Sequence, residues 1–396
     1  MKKNLLFVMP GLSAGGGEKS LVNLLSQIDF DRYNVDLFLF NHTGIFMGVL
    51  PSEVKVLPLS ETYNLFSLPL VQSIQKLLFK REISLVFNRI MFTIMNKISS
   101  NSSVGEQYSW KYLSKSIASI DKTYDTAVGF LEKTSNYFVI DKVRALKKIG
   151  WVHTDYDKLG MNPNFDIKYF NDLDNIVTVS EECASVLKKR FPGQRNKVKV
   201  IYNIVSPKTI YEMASHDSGK LYDKNEGEIE ILSVGRLNYS KGFELAIESC
   251  KILIDKGYKI KWNIIGEGEE RENLTKLIKF NNLEEHFKLI GLKANPYPYI
   301  KQADIYVQPS RFEGKSIAID EAKILQKPIV VTNYSTAKDQ ISNKINGLIA
   351  EMNPDSIADN IEKLIKNVEL KNKIVKNLSQ EDLGTEGEIE KLYKLI

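Results

Sequence analysis

Only two cysteines, Cys183 and Cys250, occur among the 396 residues. They stand far apart and match neither a metal-ligand spacing nor a disulfide framework, so a reducing compartment is expected. No run reaches the roughly 18 apolar residues that a transmembrane helix needs. The opening MKKNLLFVMPG is basic and then apolar, but that run is strand-length and lacks the cleavage site of a signal peptide. An excess of either sign of charge is also small, with 54 Lys and Arg against 49 Asp and Glu. A net charge of +5 is too weak to argue for nucleic acid alone, and it fits an anionic substrate or an anionic membrane surface. Histidines number four, no short-period repeat is found, and no acidic metal cluster is read from the sequence. What is present, 43% hydrophobic and 26% charged residues, is the composition of a globular protein long enough for two or three domains. The expected location is cytoplasmic.

Strand patterns alternate with helix patterns through both halves, the mark of α/β folds with parallel sheets. In the first half strands are predicted over 5–9, 35–40, 54–57, 126–130, 147–152, 175–179 and 197–203, with an amphipathic helix over 18–27. In the second half strands over 229–235, 260–265, 287–290, 304–308 and 328–332 alternate with helices over 241–256, 268–280, 296–301, 317–325 and 355–367. Segment 206–228 is polar, lacks periodicity and contains Pro207, Gly219 and Gly227. It is expected to link two Rossmann-like domains, 1–205 and 229–375, with 376–396 a tail helix able to pack back on the first. Such a pair places a cleft between the domains, and ligands dock at strand C-termini.

Chemistry concentrates in two stretches. In SVGRLNYSKGFELAIESC, 233–250, a strand ends at Gly235 and a helix follows, with Arg236 and Lys241 on the turn between them. Helix N-termini present N–H groups and positive potential to phosphate, two cations there would neutralise a diphosphate, and Gly242 permits close backbone approach. A solvated charged loop is the plain alternative for Arg236. In QPSRFEGKSIAIDEAKILQKPIV, 308–330, Glu313 lies in a loop, Gly314, Lys315 and Ser316 at a helix N-terminus, and Glu321 inside that helix. Glu321 can accept from a diol such as ribose and Glu313 from sugar hydroxyls; a lone glutamate of either kind is more often a surface residue.

These stretches, with IIGEGEER (264–271) and GLKANPYPYIKQADIYVQPSRFEG (291–314), closely resemble glycosyltransferase family 4, the group 1 glycosyltransferases of GT-B fold. The matching signals are GRLxxxKG at 235–242, Gly-x-Gly at 266–268, AD-x-x-V-x-PS at 303–310, and the two glutamates 313 and 321. The likeness covers most of 229–367 and weakens before residue 150. It implies two facing Rossmann-like domains with the donor site in the second. It assigns Arg236 and Lys241 to the donor diphosphate, Glu321 to the ribose and Glu313 to the donor sugar. Gly314, Lys315 and Ser316 would supply backbone N–H groups near sugar and phosphate, Lys293 would meet the base through its backbone, and Gly266 would belong to the donor site. Where many members carry an aromatic or aliphatic residue followed by glycine, this chain has Lys315-Ser316, which leaves the donor sugar open.

In the first half, GEKS within PGLSAGGGEKSLVNLL (10–25) is no P-loop, because Glu18 stands where that motif has glycine. The resemblance assigns Gly15, Gly16 and Gly17 to a loop closing on the reaction centre; an ordinary strand-to-helix turn is the alternative. His153, in WVHTDYD, follows a strand and matches the family's histidine near the anomeric centre, though a lone histidine is more often structural. Asp155 and Asp157 have no assigned role, and Asn203 matches a common family asparagine. Segment 68–100 mixes apolar residues with Lys76, Lys80, Arg81, Arg89 and Lys97 against the single acid Glu82. It reads equally as a basic amphipathic segment on an anionic membrane or as a core-packing helix pair with a solvated basic face.

The resemblance implies a retaining hexosyl or N-acetylhexosaminyl transfer from a nucleoside diphosphate sugar, most commonly UDP-linked, to a glycan or lipid-linked acceptor of a surface polysaccharide. No metal or other cofactor is expected, since Arg236 and Lys241 can meet the leaving charge, and nucleic acid is not an expected partner. Two rival classes share the plan: a sugar-nucleotide epimerase or hydrolase, and a non-catalytic nucleotide-sugar-binding subunit. Neither the base nor the acceptor is legible, nor is the oligomeric state.

Overall fold

The computed structural model describes residues 2–13, 15–99, 101–215, 219–222, 225–293 and 295–396. The alternating patterns form two parallel sheets. The first holds β1 (Lys3–Met9), β2 (Tyr33–Leu39), β3 (Lys55–Val56), β4 (Ile120–Gly129), β5 (Val143–Val152), β6 (Asn175–Thr178) and β7 (Val198–Val200), in the order β3-β2-β1-β4-β5-β6-β7. The second holds β8 (Ile229–Val234), β9 (Ile260–Ile265), β10 (Phe287–Leu289), β11 (Ile305–Gln308), β12 (Ile329–Thr332) and β13 (Leu348–Ala350), in the order β10-β9-β8-β11-β12-β13. Parallel neighbours require crossovers, and the crossover helices bury both sheet faces. That is why β1 reads LLFVM without alternation, each of these five side chains being fully buried. Strand order reverses between β1 and β4, and again between β8 and β11. At such a point the connections leave in opposite directions and open a crevice beyond the strand C-termini.

The chain divides into two compact units, one of Met1–Ser13, Gly17–Ile201 and Ile389–Ile396, the other containing Tyr202–Glu388. In the first, a core of Leu6, Val8, Phe38, Tyr137 and Phe138 lies on one face of the sheet, and the terminal helix Ile389–Tyr393 stacks Tyr393 on Tyr33 at 5.3 Å. In the second, Trp262, Phe287, Ile305 and Val330 sit in one apolar cluster, and Leu232, Tyr306, Ile317 and Val331 in another.

Three expectations need correction. Segment 206–228 is not a structureless linker. Ser206 caps a helix over Pro207–Ala214, and Ile210 and Ala214, four residues apart, bury one face of it in the second unit's core. A boundary at 375 would cut the helix Val368–Gln380, which contains neither glycine nor proline and runs on, with Ile374 and Leu378 buried. The glycines at 16 and 17 are not loop residues: they form the first turn of the helix Gly16–Leu25.

Candidate functional site

The second unit's switch point is built from the two motif-bearing loops. After β8 the chain turns through Arg236–Gly242, and Leu237 anchors the turn from beneath, fully buried, its N–H bonded to the Glu267 carbonyl at 3.0 Å. Gly242 has φ of 62°, and a Cβ there would lie 2.2 Å from the Pro309 carbonyl oxygen, so only glycine lets this loop touch the one after β11. Gly266 plays a similar part on the other side, where a Cβ would come within 1.9 Å of the Gly235 carbonyl oxygen. Gly266, expected at the donor, thus has a packing role in holding the β8 and β9 loops together. Arg311 ties the loops further: its N–H donates to the Ser240 carbonyl at 2.7 Å, and its side chain pairs with Glu244.

Across this crevice Lys241 meets Glu313, Nζ to Oε1, at 2.5 Å. Both side chains are mostly buried, 19% and 12% exposed, so the pair is held more firmly than a surface ion pair. The same Glu313 oxygen accepts from Ser310 Oγ at 2.7 Å and Gln308 Nε2 at 3.3 Å. Gln308 and Ser310 are fully buried, and Tyr306 donates to Gln308 Oε1 at 2.8 Å. A chain of buried groups running back into β11 therefore orients the carboxylate. The Thr336 hydroxyl fixes the Glu313 backbone carbonyl at 3.0 Å.

Glu321 is no surface residue. It is 2% exposed in the helix Ile317–Ile324 and accepts from Tyr297 Oη at 3.0 Å. Burial raises the Tyr306 hydroxyl well above the usual tyrosine range, with Glu321 and Glu313 adding to the shift, so it stays a donor. Gly314 is buried at the same helix start. Ser316, expected to offer its N–H to a ligand, gives it to Gln340 Oε1 at 2.8 Å, while Gln340 Nε2 returns bonds of 2.8 Å to the Ser316 carbonyl and to Asp320. That N–H is consumed inside the protein. Lys315 lies 4.0 Å over the Tyr202 ring and 4.0 Å from Asp320. Burial raises the Asp320 carboxyl above its usual range, partly offset by Lys315. The Lys315 backbone carbonyl accepts from Asn203 Nδ2 at 3.2 Å, which gives that asparagine a local role. Arg236 is exposed on the β8 turn, and the Lys293 ammonium lies 5.5 Å from the Tyr299 ring centre.

In the first unit His153 leaves β5 between aromatic rings, with Phe130 at 4.9 Å and Trp151 at 5.9 Å. Its Nε2 is buried with no hydrogen-bond partner, and burial pushes its pKa down to about 3, a hydrogen bond to the Phe130 backbone acting the other way. At neutral pH it is an uncharged imidazole. Its backbone N–H donates to Glu132 at 3.0 Å. Glu132, which the sequence reading passed over, follows β4 and is raised above the usual carboxylate range by burial, with Lys133 opposing. Next to it Lys133 pairs with Glu106 at 2.6 Å. Asp155 caps its own turn, accepting from the N–H groups of Asp157 and Lys158, and Asp157 pairs with Arg190 at 2.8 Å.

Asp-x-Asp pairs do occur at 29–31, 155–157 and 172–174, contrary to the reading of no acidic cluster. Asp29 accepts from the Asp31 N–H and Asp174 from the Lys148 N–H, as turn and edge contacts. Among the described residues no three His, Cys, Asp or Glu side chains stand together as metal ligands, and no helix is long and apolar enough to cross a membrane.

The chain is 29% identical over 51% of its length to the capsular polysaccharide biosynthesis glycosyltransferase CapM of Staphylococcus aureus, covering 55% of that protein. It is 31% identical over 50% of its length to the N-acetylgalactosamine-N,N'-diacetylbacillosaminyl-diphospho-undecaprenol 4-alpha-N-acetylgalactosaminyltransferase of Campylobacter jejuni, covering 52% of that protein. These matches span about half the length of the curated relatives. A mutant of S. aureus TarM, solved with fondaparinux, alpha-GlcNAc-glycerol and UDP, superposes with a TM-score of 0.68 at 16% identity, covering 99% of both chains. The fold is therefore that of the GT-B glycosyltransferases, and residues 219–381, which carry the switch-point crevice, match the family of glycosyl transferases group 1.

Proposed function

We propose that the chain is a retaining glycosyltransferase of family 4. It moves a hexosyl or N-acetylhexosaminyl group from a UDP-sugar to a glycan or lipid-linked acceptor of a surface polysaccharide or glycoconjugate. The observation that carries this reading is the Lys241–Glu313 pair at 2.5 Å across the β8/β11 crevice. A cation on one lip and an oriented acid on the other suit a donor that is diphosphate at one end and polyhydroxylated at the other. Lys241 and Arg236 take the diphosphate, Glu313 the sugar hydroxyls and Glu321 the ribose diol. UDP as the nucleotude is supported by its presence with TarM. The lipid-linked acceptor is supported by the diphospho-undecaprenol in the Campylobacter relative's name. In this reading the protein works on the cytoplasmic side of a cell membrane, touching it through 68–100.

The bond from the anomeric carbon to the leaving phosphate oxygen breaks, and one to the acceptor oxygen forms on the same face. The acceptor proton passes to the leaving phosphate. Arg236 and Lys241 stabilise charge that grows only as the bond breaks, which is where electrostatic preorganisation lowers a barrier. No metal is needed for that task, so turnover is expected to survive EDTA. Neutral His153 and the Glu132 beside it belong to the acceptor half. The test is product analysis with the UDP-sugar that binds. An axial donor should give an axial product by NMR, and an equatorial product would end the retaining assignment. Turnover of the donor to an epimer without acceptor would favour the epimerase class.

A further inference from the structure

Helix Ile83–Ile98 is apolar on two opposite faces. Inward, Leu85 is buried, Phe92 meets Phe66 edge to face at 5.7 Å, and Arg89 donates to the Leu68 carbonyl at 3.0 Å from above both rings. Outward, Ile83, Phe87, Ile90, Ile94 and Ile98 are 63%, 60%, 38%, 37% and 75% exposed. Steps of four, three, four and four residues place them in one line down the helix. The preceding helix, Leu70–Phe79, ends in Phe79, 87% exposed. Elsewhere exposed apolar side chains are scattered, whereas an unbroken stripe in water marks a surface built to be covered.

Charge decides what covers it. Lys76, Lys80, Arg81 and Lys97 lie on the same two helices and their turn, with Glu82 the sole acid of 68–100. Lys80 also reaches Glu61 at 2.6 Å, but both are well exposed, so that pair is weak and leaves the basic field largely intact. Two copies of this chain meeting stripe to stripe would bring these cations together. An anionic bilayer meets stripe and cations at once, with apolar side chains at the acyl boundary and ammonium groups at the phosphates. We propose that Leu70–Phe79 and Ile83–Ile98 form a peripheral docking surface for anionic membrane, with Phe79, Phe87 and Ile90 inserted and Lys76, Lys80, Arg81 and Lys97 at headgroup level. This sharpens the membrane contact of the functional reading, yet it rests on the stripe and its charge, independently of the donor site.

Cosedimentation tests it, with vesicles of equal parts phosphatidylglycerol and phosphatidylcholine against phosphatidylcholine alone. The wild-type chain should bind the mixed vesicles, less so in high salt, and bind the neutral ones weakly. Phe79→Ser with Phe87→Ser and Ile90→Ser should lower the partition coefficient at least roughly tenfold. Lys80→Gln with Arg81→Gln should lower it about tenfold on the mixed vesicles only. Phe79 and Phe87 are mostly exposed, Lys80 and Arg81 lie on the surface, and Ile90 is 38% exposed, so the variants should stay folded with at most a small drop in melting temperature, and UDP affinity should not change, which separates lost docking from lost folding and from failure of the donor site. The proposal is overturned if the wild type ignores anionic vesicles, if the triple variant binds as well as the wild type, or if the wild type proves a dimer that the triple variant dissolves.

Discussion

Glu313 gathers Lys241, Ser310 and Gln308 on a single oxygen. The sequence motif points to Glu313 and Lys241, because cation and acid fall at recognisable positions beside glycines. It does not point to Gln308, which works only because it is fully buried on β11 beneath that oxygen. Gln308→Leu should leave the carboxylate misaimed and reduce donor affinity about tenfold, read by titration. An unchanged affinity would mean Gln308 is a core residue only. His153 offers a test by pH. The unfolded histidine takes up its proton near 6.5, the folded one only near 3. Between those values the unfolded chain binds the extra proton, so stability is full above 6.5 and falls with pH, by about 1.4 kcal/mol per unit for this group. Urea midpoints of wild type and His153→Gln should therefore converge as pH drops from 7 to 5, whereas parallel lines would show that His153 titrates normally.

At the level of elements, the positions of most strands and helices follow from periodicity, since parallel strands buried on both faces read as short apolar runs between amphipathic helices. Two segments show where that reading stops. In 206–228 the helix is only eight residues long with two buried contacts, too few for a periodic signal among polar neighbours. In 68–100 the apolar residues recur at helical spacing, but spacing is the same whether a stripe faces the core or the solvent. The helix Ile317–Ile324 depends on Gln340, 24 residues beyond Ser316, a distance no local pattern spans. Gln340→Ala would strand the Ser316 N–H and the Asp320 carboxyl, and should lower stability by about 1–3 kcal/mol in chemical denaturation. Gly266→Ala should cost a similar amount, about 1–3 kcal/mol, because its Cβ would press on the Gly235 carbonyl and part the β8 and β9 loops. If either variant melts like the wild type, the loop packing described here does not hold the crevice.

For the whole molecule, two parallel α/β units were legible because each half restarts the strand–helix alternation. The second half also carries enough motif residues to resemble a family from its sequence alone. The charged cluster of the first half was not legible to the same depth: Glu132, Lys133 and Glu106 are unremarkable in sequence, and Lys133 meets Glu106 because the turn after β4 runs beside the helix Ser102–Leu113. Under the proposed function the crevice of the second unit binds a nucleoside diphosphate through Lys241. The most direct test is calorimetric titration of UDP, GDP and ADP into the protein in EDTA, repeated with Lys241→Ala and Glu321→Ala. The account predicts that UDP binds without metal and that each substitution weakens it at least about tenfold. UDP affinity unchanged in both variants, or no binding of any of the three nucleotides by the wild type, would contradict it.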